Sequence, residues 1–111
     1  MKNNEDDAMS LSELYVAHEQ ALFPRNCGLT IKGVFLPYLD TQLSGCISSY
    51  LRHNKTTIDI DRYLVLQKSK AELEMALPHI KNEAFEYFSR LHQIAYLILE
   101  EASISQFELN Q

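Results

Sequence analysis

His79 and Glu83 stand one helical turn apart, and His92 follows on the same segment. Imidazole and carboxylate at that spacing belong to zinc and di-iron chemistry, but such centres need several ligands converging from more than one element. His18 and His53 lie on other segments, and no Glu-x-x-His pair occurs. The expectation is no metal and no cofactor. Cys27 sits beside Gly28 and close to Arg25, a setting that can lower a thiol pKa. Nucleophilic catalysis would also need a base and an oxyanion-binding turn, and neither motif accompanies it. Cys46 has no metal-type spacing to Cys27, and both read as reduced thiols. No catalytic residue is assigned, and the chain reads as a non-enzyme.

Charge is the remaining chemistry. The chain of 111 residues carries a net charge of −5. Up to Pro24, Lys2 stands alone against Glu5, Asp6, Asp7, Glu13 and Glu19. Beyond Arg90, Glu100, Glu101 and Glu108 meet no base at all. The middle of the chain is slightly basic, without any run of Lys or Arg. Nucleic-acid affinity grows with clustered cations through counterion release, so nucleic acid is excluded as the expected partner. The start of the chain has no secretory-signal pattern, and the longest apolar run, Ile94 to Leu99, is too short to span a bilayer. A cytoplasmic protein without membrane contact is expected.

The elements that position these charges are helices. Three glycines and three prolines are too few for a turn-rich sandwich, and 46% apolar content supports a core. The expected fold is all-α, a small bundle of about four helices in one domain over residues 10–104. A flexible acidic tail (1–9) and a frayed C-terminus (105–111) flank it. Ser10 and Glu13 form a capping box ahead of Leu11, Leu14, Tyr15, His18 and Leu22, with Phe23-Pro24 as the stop. Residues 24–33 read as the main loop. A second helix starts near Leu36 with Pro37 in its first turn and carries Leu39, Leu43, Cys46 and Tyr50 as a seam. Gly45 with Ser44, Ser48 and Ser49 reads as a small-residue face for a tight helix crossing.

Residues 56–66 admit a strand, whose match would come from Leu29 to Phe35. A helix capped by Asp59 or Asp61 is preferred, because Ile60, Tyr63, Leu66, Leu73 and Leu77 keep a helical repeat. Ser69 and Glu72 repeat the capping-box pattern, so a kink or restart is expected near Ser69 and another at Pro78. The last helix holds Ala84, Phe88, Leu91, Ala95, Ile98 and Ala102 in alternating steps of four and three. Its extra apolar residues call for a central position or a partner.

In an up-down-up-down bundle the start of helix one and the end of helix four share a pole. Glu13 suits a helix N-terminus, whereas Glu100 and Glu101 oppose the dipole at a C-terminus. A local rule broken without visible compensation marks a candidate site. Glu13, Tyr96, Leu97, Glu100 and Glu101 are therefore the expected partner-binding residues. The expected function is an inhibitor of the immunity-protein or antitoxin type that masks a basic, toxin-like or nuclease-like protein. The competing expectation is a homodimeric adaptor or secretion-type chaperone, with the apolar last helix as a symmetric interface.

Overall fold

The computed structural model describes residues 9–25, 30–53 and 56–105. Residues 1–8 of the expected acidic tail, the Cys27-Gly28 pair and the last six residues lie outside these. Among the described residues the elements are α1 (Leu11–Gln20), β1 (Thr30–Ile31), β2 (Val34–Phe35), α2 (Leu36–His53), β3 (Thr57–Asp59), α3 (Ile60–Ala76), α4 (Asn82–Glu101) and β4 (Ser103–Ser105). The fold is the expected small helical bundle.

Local sequence sets most of the boundaries. Ser10 Oγ accepts from the Glu13 amide at 3.2 Å, and the Glu13 carboxylate accepts from the Ser10 amide at 2.9 Å. This is the full capping box, and it fixes the start of α1. The helix closes at Gln20, ahead of the Phe23-Pro24 stop, and leaves Leu22 84% exposed rather than in the seam. Asp59 caps α3, accepting from the Arg62 amide at 3.2 Å and from its guanidinium at 2.8 Å.

Three expectations are corrected. The helix α3 runs unbroken through Ser69, which is buried between Leu66 and Leu73. A capping serine needs an extended backbone at the cap, and core packing on both sides holds this one helical. The interruption falls only at the Leu77–His79 turn, where the Pro78 ring would collide with the preceding helical turn. Second, Thr57–Asp59 form a strand before the helix begins, and its partner is not Leu29–Phe35. The β3 strand pairs in parallel with β4, Ile58 opposite Ile104. The chain around Gly33 instead folds on itself as the antiparallel β1–β2 hairpin, turning through Lys32 (φ 53°) and Gly33 (φ 81°). Third, Gly45 is exposed, with nothing within 4 Å of where a Cβ would stand. It permits no close helix crossing.

Side-chain pairs give the helix directions. His18 of α1 meets Ser44 of α2, while Ser12 and Tyr15 share a groove with Ser48, Leu51 and Arg52, so α1 and α2 are antiparallel. Asp40 and Tyr50 of α2 meet Tyr87 and Glu101 of α4 in the same order, so α2 and α4 run parallel. Lys70 and Glu74 of α3 meet Tyr96 and His92 of α4 in reverse order, so α3 is antiparallel to α2 and α4. Their shared core holds Leu36, Leu43, Ile47, Leu66, Leu73, Phe88, Leu91, Ile94 and Ile98, all fully enclosed. The seam foreseen on α4 is buried from Ala84 to Ile98, while Ala102 caps the helix and is half-buried. The helix is therefore central to its own bundle. No helix among the described residues is long and apolar enough to cross a membrane.

Candidate functional site

The outward face of α4 is set by its periodicity. With Phe88, Leu91, Ala95 and Ile98 turned inward, Tyr96 and Glu100 fall on the opposite side, one turn apart. Tyr96 is 47% exposed and Glu100 is exposed. Beside the Tyr96 ring, 5.9 Å from its centre, lies the Lys70 ammonium of α3. Lys70 is itself neutralised by Glu74 at 2.6 Å, and Glu74 also meets His92 at 2.8 Å. Hydrogen bonds from Lys70 first and His92 second hold the Glu74 carboxyl below its usual range.

The other expected site residues have structural duties. Glu13 is committed to its capping box. Leu97 is half-buried and packs against the core. The Glu101 carboxylate is exposed but accepts from the Tyr50 hydroxyl of α2 at 2.8 Å. Burial of Tyr50, reinforced by this bond, raises its pKa above the ordinary tyrosine range. That bond compensates Glu101 for its place at a helix C-terminus. Glu100 has no such compensation among the described residues.

The His18 ring near the end of α1 packs at a tilt on Tyr87 near the start of α4, and α1, antiparallel to α2, is antiparallel to α4 as well. The start of α1, with Glu13, thus points toward the end of α4, with Glu100 and Glu101. Arg52 of α2 borders an open groove of about 370 Å³ between α1 and α2 that Tyr15, Val16, Leu51 and Glu19 also line.

A polar cluster under α1 escaped the sequence reading. The His18 ring lies 5.0 Å from that of Tyr87, and its Nε2 shares a 3.3 Å hydrogen bond with Ser44 Oγ. Tyr87 Oη donates to Asp40 Oδ1 at 2.7 Å. His18 Nδ1 and Arg90 Nη1 are enclosed without hydrogen-bond partners among the described residues. A buried unsatisfied atom of this kind costs about 1–3 kcal/mol. Burial is the main cause that lowers the His18 pKa; Arg90 adds to it, while Asp40 and Glu19 oppose it. His18 sat visibly on the apolar face of α1, but its neighbours come from three helices and no local spacing announces them.

No protein-family description, curated protein or solved structure matches this chain.

Proposed function

We propose that the chain is a binding protein without chemistry of its own, an inhibitor of the immunity-protein or antitoxin type. Its docking surface is the outward end of α4, and its partner is a basic protein met in the cytoplasm. One observation carries the reading: Tyr96 stands half out of the fold one turn from Glu100, whose charge opposes the helix dipole without compensation. An exposed tyrosine beside an uncompensated carboxylate is the composition of an interface anchor with a steering charge. Glu101, held by Tyr50, adds to the field beside Glu100, and Leu97 supports the helix from beneath; Glu13 is proposed to contribute from the first turn of α1.

The test is affinity capture from the native host on the wild-type chain and on Tyr96→Ala and Glu100→Lys. The reading expects a basic protein that binds at low salt, elutes at high salt and is lost from both variants. Retention of the same proteins by both variants would overturn it.

A homodimer is the second reading. It is favoured by Leu64, 52% exposed, and Met75, 64% exposed, which share the outward face of α3. A salt-insensitive dimer in light scattering, broken by Leu64→Glu or Met75→Glu, would support it over the first.

A further inference from the structure

The helix α1 is thinly anchored. Leu14 and His18 are its buried side chains, against seven on α4. Leu11 and Tyr15 add half-buried contacts, and His18 is the one buried polar anchor on α1, at a junction of three helices. Facing it are Glu19 on α1, Asp40 and Ser44 on α2, and Tyr87 and Arg90 on α4. Phe23, beyond the end of α1, closes the apolar side with edge-on contacts to Tyr87 at 5.6 Å and Phe88 at 5.9 Å.

We propose that His18 is an acid-sensitive latch: the neutral ring holds α1 against α4, and its protonation releases α1 while the other three helices stay assembled. An imidazolium has two donors. In the docked position Nε2 can use Ser44 and Nδ1 meets no acceptor, with the Arg90 guanidinium nearby. Asp40 is the attractive counter-charge, but one of its oxygens already accepts from Tyr87. Glu19 is exposed and screened. Direct contacts also join α2, α3 and α4, through a core that includes Leu43, Leu66, Leu73 and Leu91 and through the Tyr50–Glu101 and Glu74–His92 bonds. Release uncovers Tyr87 and Phe88, an aromatic surface that could then meet an apolar segment.

The sign follows from linkage. The docked His18 binds a proton less readily than an undocked one, so docking is fully favourable above the ordinary histidine pKa. It weakens as pH falls below that value, by up to tenfold per pH unit, and levels off below the docked-state pKa.

Hydrogen exchange of the full chain, corrected for intrinsic rates and followed from about pH 7.5 to about pH 5, tests the latch. The expected result is a loss of protection, at most about tenfold per pH unit, in peptides covering α1, with α3 peptides unchanged. His18→Phe keeps an aromatic ring on Tyr87 and abolishes the response. Two further variants move it in opposite senses. Arg90→Gln removes the like charge and makes the loss shallower. Asp40→Asn keeps an acceptor for Tyr87, removes the counter-charge and makes the loss steeper. Flat α1 protection in the wild type, or an equal loss in His18→Phe, would overturn the proposal. If His18→Phe does not fold, identical slopes in the Arg90 and Asp40 variants would do the same.

Discussion

Tyr87 of α4 donates its hydroxyl to Asp40 of α2 at 2.7 Å, and the bond has a counterpart at the other end of the same two helices. There the roles are exchanged, with Tyr50 of α2 donating to Glu101 of α4 at 2.8 Å. Two helices that run parallel without being sequence neighbours are thus fixed in register by a reciprocal pair of phenol–carboxylate bonds. Apolar packing alone tolerates sliding along a seam; a bond with one short geometry at each end does not.

Tyr87→Phe is expected to lower unfolding stability by about 1–2 kcal/mol, because the lost bond reaches a charged acceptor but leaves Asp40 able to find water. Tyr50→Phe is expected to cost about 0.5–1.5 kcal/mol, since the Glu101 it releases is exposed. Urea unfolding followed by circular dichroism checks both, and an unchanged midpoint for Tyr87→Phe would contradict the structural role of the pair.

The same bonds make the fold sensitive to alkali. Both phenols are held protonated above the ordinary tyrosine range, by burial first and by their carboxylate partners second. A raised folded-state pKa contributes stability that is complete below about pH 10 and is lost as pH rises beyond it. Tyrosinate absorbance should therefore show Tyr50 and Tyr87 ionising together with the loss of helix. In the double variant Tyr50→Phe, Tyr87→Phe that coupled step should vanish.

The large elements were legible because each repeats one signal many times. Leu36, Leu39, Leu43 and Tyr50 on α2, and Ala84 to Ile98 on α4, carry their seams through several turns. The parallel strands were not legible: three residues on each side are too few for any period, and their pairing joins distant parts of the chain. Ser69 and Glu72 reproduced a capping motif faithfully, yet burial decided against it. The candidate site divided in the same way. Exposure of Tyr96 and Glu100 followed from helical phase alone. The commitments of Leu97 and Glu101 depended on neighbours, and Tyr50 lies 51 positions from Glu101.

Gly45→Ala is expected to stabilise the protein by about 1 kcal/mol. The position is inside α2, is exposed and has open space where the methyl would go, so the change removes the entropic cost of a helical glycine without a clash. Thermal unfolding checks it. A loss of stability would mean that the groove beside Gly45, lined also by Thr41, Arg62 and Val65, tolerates less than its geometry allows.

Glu13 lies in the first turn of α1 and Glu100 in the last turn of α4, and the two carboxylates should respond to substitution with opposite signs. Glu13→Ala breaks one arm of the capping box and should cost about 0.5–1 kcal/mol in stability, with little effect on a docked basic partner. Glu100→Lys replaces an anion that opposes the α4 dipole by a cation that favours it, and should raise stability by about 0.3–1 kcal/mol. The same change should weaken the basic partner and reduce the salt dependence of its association. A residue that lowers the stability of its own fold is retained for something other than folding, and only a binding measurement can show the gain. If Glu100→Lys stabilises the protein and leaves every captured interaction intact, the charge at that position serves no docking role, and the surface around Tyr96 loses its electrostatic half.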